Sequence, residues 1–198
     1  MMAAGPAHGP EPEPVQLDAP SCWVCCEGGG TAENDKLLST GCACRGSSGL
    51  AHLSCLVLAA QHDVDSWTTC PTCEQYYTGE VDVGLARARW KLVRQRPPED
   101  EERLFVANNL AVALKESAGD NDGALRLMEE VLAERRRTLG DHDPRTLDSL
   151  TNLALQHAEM GHFAAALPLS QVLTASRDRV SLTALSSVTP LLLLCGRV

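Results

Sequence analysis

Between Cys22 and Cys73 the chain sets seven cysteines and one histidine in four close pairs: Cys22 with Cys25, Cys42 with Cys44, His52 with Cys55, and Cys70 with Cys73. The residues intervening along this series number 2, 16, 1, 7, 2, 14 and 2. Two residues between paired ligands form a tight knuckle that aims both at one tetrahedral ion, and four pairs supply the eight ligands of two closed sites. The pattern therefore predicts two structural zinc ions with no open coordination position. A segment of about 55 residues is near the lower size at which an apolar core suffices, so metal binding must supply stability that the core lacks. Cys26 competes with Cys25 for its place, but the two-residue knuckle favours Cys25 and leaves Cys26 an outer thiol. Cys195 stands apart as an isolated thiol.

Disulfides are the competing use of nine cysteines, yet eight of them crowd between Cys22 and Cys73 and the total is odd. The opening residues, rich in Pro, Ala, Gly and Glu, lack a basic start followed by an apolar run, and read as a disordered tail rather than a secretory signal. No window reaches the roughly 18–20 apolar residues that cross a bilayer. A net charge of -9 disfavours a broad footprint on nucleic acid or an anionic membrane. These features point to a soluble, intracellular protein, cytoplasmic rather than nuclear.

Past the cysteine-rich block, the run over 85–94 reads as a connector helix, stopped by Pro97 and Pro98. Its basic residues Arg87, Arg89, Lys91, Arg94 and Arg96 read as a solvated face. The Leu- and Ala-rich remainder repeats itself. Asn109-Leu-Ala returns as Asn152-Leu-Ala, and Gly119, Ala124, Leu125 and Leu127 return as Gly161, Ala166, Leu167 and Leu169, a period of 42 to 43 residues. Leu110 and Leu114, then Leu125, Met128 and Leu132, fall at helical spacing on either side of Gly119-Asp-Asn-Asp, which ends one helix and caps the next. Gly140 and Pro144 punctuate the passage to the following hairpin. The predicted fold is a small zinc-stabilised α+β domain followed by an all-α array of helical hairpins. Five segments result: a tail over 1–20, the zinc finger over 21–79, the connector helix over 80–98, the repeats over 99–180, and an irregular or truncated repeat end over 181–198.

The ligand order, the single residue between the third and fourth ligands, and the seven before the histidine resemble the RING-CH zinc finger. Cys22-Trp-Val-Cys, Leu37-Leu-Ser-Thr-Gly-Cys-Ala-Cys-Arg-Gly-Ser, His52-Leu-Ser-Cys-Leu and Cys70-Pro-Thr-Cys carry that likeness. The resemblance implies a RING-like cross-brace, with Cys22, Cys25, His52 and Cys55 on one ion and Cys42, Cys44, Cys70 and Cys73 on the other. It also implies a ubiquitin ligase that recruits a ubiquitin-charged conjugating enzyme, touching it through Val24, the segment 56–67 including Trp67, and Pro71. Packing against the second zinc site is an equal use for Trp67. Such a ligase orients an existing thioester and uses no catalytic residue of its own. Glu74, where many activating RING domains have a basic residue nearby, departs from the pattern. PHD fingers share the ligand order and bind histone tails, but usually space the third and fourth ligands more widely.

Asn108-Asn-Leu-Ala, Gly119-Asp-Asn-Asp-Gly-Ala-Leu, Glu134-Arg-Arg-Arg-Thr-Leu-Gly and Asp143-Pro-Arg-Thr-Leu resemble tetratricopeptide repeats of the kinesin-light-chain kind. That likeness implies a concave face binding a protein or peptide substrate, with Asn109 and Asn152 as groove residues. One full hairpin and most of a second precede Ser181, fewer than the three repeats a solenoid generally wants. The run Leu191 to Leu194 would expose apolar surface, so truncation or self-association is a further expectation. The leading function is ubiquitin transfer to a repeat-bound substrate. The alternatives are a non-enzymatic zinc-binding adaptor and, behind it, a PHD-like histone reader.

Overall fold

The computed structural model describes residues 20–29, 36–42 and 49–177. The tail, Cys44, Cys195 and the end over 181–198 with its Leu191 to Leu194 run lie outside the described residues.

The cysteine-rich part holds little regular structure among its described residues. Strand β1 (Leu37–Ser39) pairs antiparallel with β2 (Leu50–His52), with Leu37 opposite His52 and Leu38 opposite Ala51. Helix α1 (Leu53–Ala60) follows directly, and Val64–Trp67 forms one 3-10 turn capped by Asp63, whose carboxylate accepts from the Asp65 amide. Cys22, Ala51, Leu56, Ala60, Trp67, Cys70 and Tyr77 are buried in one cluster.

Helix α2 (Gly79–Val93) then runs between this part and the repeats. Val81 and Leu85 are buried in the cluster of the cysteine-rich part, with Ala88 packed against it. Val83 is buried in the repeat core, with Ala86 and Trp90 packed against that one. Positions 81, 85, 88 and positions 83, 86, 90 each follow helical spacing, and an offset of two residues, about 200° at 3.6 residues per turn, sets the stripes on opposite faces. The predicted connector is thus a core element shared by both halves. Gly84 permits the approach: a Cβ there would lie 2.7 Å from both Cδ atoms of Leu53.

Four helices complete the described chain as two hairpins: α3 (Glu101–Ala118) with α4 (Asn121–Leu139), and α5 (Pro144–Glu159) with α6 (Phe163–Arg177). Local chemistry explains each boundary. Asp100, Asp120 and Asp143 accept hydrogen bonds from the amides of Arg103, Gly123 and Arg145, and so cap α3, α4 and α5. Gly119 closes α3 in the left-handed region at φ 67°, where a Cβ would be costly. Leu110, Leu114, Met128, Leu132, Leu147, Leu150 and Leu153 share one core. Arg135 is buried among these helices. Its Nη1 donates to the Arg145 carbonyl at 3.1 Å and to Ser149 Oγ at 2.9 Å, while Nη2 donates to Glu101 Oε1 at 3.0 Å. One side chain therefore ties α3, α4 and α5 together.

Candidate metal centre and repeat groove

The two Cys-x-x-Cys turns are built alike. In the first, the Cys26 amide donates to the Cys22 carbonyl at 2.7 Å and the Cys22 amide to the Glu27 carbonyl at 2.7 Å. In the second, the Glu74 amide donates to the Cys70 carbonyl at 2.8 Å and the Cys70 amide to the Gln75 carbonyl at 2.9 Å. The residue after each second cysteine, Cys26 at φ 64° and Glu74 at φ 58°, takes the left-handed conformation that lets the chain reverse. Cys26 and Glu74 thus occupy the same structural position, and both are exposed.

The first knuckle faces the start of α1. Ligand atoms of Cys22, Cys25, His52 and Cys55 all lie within 4.8 Å of one another. His52 presents Nδ1 to the sulfurs, 3.4 Å from Cys25 Sγ and 3.8 Å from Cys55 Sγ. In a tetrahedral site with zinc–sulfur bonds of about 2.3 Å and zinc–nitrogen bonds of about 2.0–2.1 Å, such ligands stand about 3.6 Å apart. The two observed distances bracket that value. Burial pushes the Cys22 thiol up, but the backbone N–H groups of Cys25, His52 and Val24 outweigh it and bring the thiol down to about 7. Burial, then the neighbouring Cys25 and Cys22, push Cys55 up to about 11. One thiolate forms readily and the next is opposed by it, a conflict that a cation at the centre removes. The donor set and its spacing fit a metal ion.

The second cluster joins Cys42, Cys70 and Cys73, again within 4.8 Å of one another. Cys44, the expected fourth ligand, lies outside the described residues. Thr40 anchors the approach to Cys42: its amide and its hydroxyl both donate to the Gly49 carbonyl, at 2.9 and 3.0 Å. Gly41, at φ +71°, has no room for a side chain, since a Cβ would lie 2.2 Å from Thr78 Oγ1. The first and third pairs of the sequence share one cluster, and Cys42 of the second pair joins the fourth pair in the other.

Of the three residues expected to touch a conjugating enzyme, Val24 is 38% exposed and Trp67 is 7% exposed. Pro71 is exposed. Trp67 packs into the core beneath the guanidinium of Arg89, which stands 5.9 Å from its ring and 5.6 Å from that of Phe105. Arg89 is thus held between two aromatic rings rather than solvated, and Arg96 pairs with Glu102 and Asp100. Neither role can be read from the alternation of charges along the helix.

On the repeats, a cleft of about 510 Å³ runs between α3 and α5, lined in part by Phe105, Asn108, Arg135, Arg145 and Asn152. Asn152 Nδ2 donates to Asn108 Oδ1 at 3.2 Å. Asn109, the repeat equivalent of Asn152, lines instead a second cleft beside the cysteine-rich part. The residue that faces Asn152 is 44 positions away, and not the 43 of the sequence repeat. Helical phase, with Glu101, Phe105 and Asn108 on one stripe, is the signal that would have found Asn108. Arg135 carries no comparable signal.

Residues 102–177 match the family model of the tetratricopeptide repeat, a span that takes in α3 from its second residue through the end of α6. Repeats of this kind bind protein partners. No curated protein matches the chain in sequence. Among the described residues, no helix is long and apolar enough to cross a membrane.

Proposed function

We propose that this chain is a zinc-dependent ubiquitin–protein ligase, in which the metal-bearing part recruits a ubiquitin-charged conjugating enzyme and the repeats hold a protein substrate. The observation that supports this reading most is the interleaving of the two ligand clusters, Cys22, Cys25, His52 and Cys55 against Cys42, Cys70 and Cys73. Cys44 completes the second set in this proposal. Bound zinc would serve as a structural cross-link that orders two otherwise core-poor loops. Zinc here activates no water and holds no substrate.

The protein residues do the rest. Val24 and Pro71 sit at the second position of the two matching knuckles or next to it, exposed and apolar, and form the proposed contact with the conjugating enzyme. The amine of a substrate lysine attacks the thioester carried by that enzyme, the carbon–sulfur bond breaks as the carbon–nitrogen bond forms, and the amine proton ends on the departing cysteine sulfur, leaving the conjugating enzyme with a free thiol. This chain contributes proximity and orientation, effects that are worth several kcal/mol of barrier, roughly 7–11 at their fullest. Trp67, 7% exposed, supplies core packing rather than contact area in this proposal.

Glu74 favours a second reading, an adaptor that binds two proteins without stimulating transfer, because an acidic residue follows the last ligand. The experiment that separates them is polyubiquitin formation by the zinc-loaded protein across a panel of conjugating enzymes. Chains that form with the wild type, and are lost in Val24→Ala while bound zinc is retained, are the expected result. Two bound zincs with no transfer by any conjugating enzyme would favour the adaptor.

A further inference from the structure

The second cleft lies where the metal-bearing part meets α3. Thr68, Tyr76 and Tyr77 form one wall, Asp82 of α2 a second, and Phe105, Asn109, Val112 and Glu116 of α3 the third. Its volume of about 460 Å³ is within the range of ligand pockets, roughly 300–1,000 Å³. Two properties set it apart. Tyr76 and Phe105 are large aromatic side chains left 74% and 48% exposed. Among the described residues, both charged groups lining the cleft are carboxylates and no lysine or arginine lines it.

Asp82 is half buried, which raises its carboxyl above the usual range, and Glu116 adds to the rise. Only the hydroxyl of Ser117, donating at 2.7 Å, opposes it. Every ion pair formed among the described residues uses other carboxylates. Arg89, whose guanidinium stands 5.6 Å from the Phe105 ring, lines a different cavity with Trp67, and the charge it feels is that of Glu102. A partly desolvated carboxylate lacking a counter-ion is costly unless a cation arrives to pair with it.

We propose that this cleft binds an arginine side chain of a partner protein, its guanidinium stacked on the aromatic wall and paired with Asp82 and Glu116. Arginine fits better than lysine because a planar, weakly hydrated guanidinium both stacks on rings and forks onto a carboxylate. Asn109 offers a polar side chain for the adjoining backbone. Phe105 also lines the α3–α5 cleft, so an extended segment lying on the repeats would carry its arginine to the edge of the metal-bearing part. The inference stands whether or not ubiquitin is transferred.

The test uses the zinc-loaded full chain, labelled with nitrogen-15, titrated with N-acetyl-arginine N-methylamide and with its neutral citrulline counterpart. The expected result is saturable shifts of the amides of Tyr76, Tyr77 and Glu116 with the arginine compound, and at least about tenfold weaker binding of citrulline, the equivalent of about 1.4 kcal/mol. Glu116→Gln should weaken the arginine response, and Asp82→Asn should abolish it. If Asp82→Asn disturbs the fold, the exposed Glu116→Gln variant alone decides. Equal response to citrulline, or no saturable shift at these amides, overturns the proposal. Concentration-dependent shifts of the same amides in the protein alone would assign the cleft to a second copy of the chain, and would overturn it too.

Discussion

Replacing Gly84 by alanine probes the contact that joins the two halves of the molecule. The new Cβ would stand 2.7 Å from Leu53 Cδ1 and Cδ2 and 3.3 Å from Cγ, against about 3.5–4.0 Å for carbon atoms at rest. Overpacking of that kind costs roughly 1–3 kcal/mol. Alanine in a helix interior returns about 1 kcal/mol relative to glycine. Gly84→Ala should therefore destabilise by about 0–2 kcal/mol, the difference of these two effects. In a Leu53→Ala background the obstructing atoms are gone, and the same substitution should stabilise by about 1 kcal/mol. The coupling across the pair is then about 1–3 kcal/mol. Equilibrium urea unfolding of the four metal-loaded proteins measures it as shifts of the midpoint at constant slope. Additivity to within about 0.5 kcal/mol would refute the contact and with it the docking of α1 on α2.

Removing the proposed zinc with a strong chelator should abolish the near-ultraviolet circular dichroism of the tryptophans at Trp23 and Trp67, since a structural zinc typically contributes roughly 10–16 kcal/mol of apparent folding energy. Retention of that signal after complete metal removal would contradict it. Arg135→Met keeps the stem and deletes three hydrogen bonds, one to the partly exposed Glu101, and should cost about 2–4 kcal/mol, less than a fully buried pair; a loss below about 1 kcal/mol by urea unfolding would show that the clamp is idle. Glu74→Gly relieves a left-handed residue at about 1–2 kcal/mol while adding about 0.5–1 kcal/mol of chain entropy, and should leave the protein as stable or up to about 1.5 kcal/mol more so. A clear loss of stability would mean that the Glu74 side chain has a structural role. Because the folded protein raises the Asp82 carboxyl, it holds that proton more tightly than the unfolded chain. Stability attributable to Asp82 therefore falls as pH rises from the ordinary carboxylate range through the raised value. Asp82→Asn should melt higher than the wild type at neutral pH, with the gap closing in acid. A gap that widens in acid would reverse the sign and refute it.

What could be read along the chain was whatever depends on near neighbours. Gly119 beside Asp120, and Gly140 ahead of Asp143 and Pro144, mark helix ends because capping is satisfied within a few residues. The leucine spacing of α3 and α4 is likewise local. Contacts set by how one helix lies on another were not legible. Asn108 meets Asn152 because α3 and α5 pack one residue out of the sequence repeat. Arg135 looks like one of three surface arginines until α3 and α5 close over it. Arg89 reads as solvated until Trp67 and Phe105 come together from segments 38 residues apart, 105 minus 67. The alternation of Val81, Val83 and Leu85 hides two stripes because both faces of α2 are covered, which cancels the one-sided pattern that marks an amphipathic helix.

The overlap of those stripes between Val81 and Trp90 has a consequence for how the chain can change in length. Each residue inserted into a helix turns everything beyond it by about 100° and advances it by about 1.5 Å. An ordinary spacer absorbs such a step, because nothing along it is counted. Here one added or deleted residue would swing Val83, Ala86 and Trp90 off the repeats or Val81, Leu85 and Ala88 off the cysteine-rich part. The segment does not tolerate a change in the number of its residues, and it behaves as a gear of fixed tooth count between two engaged wheels.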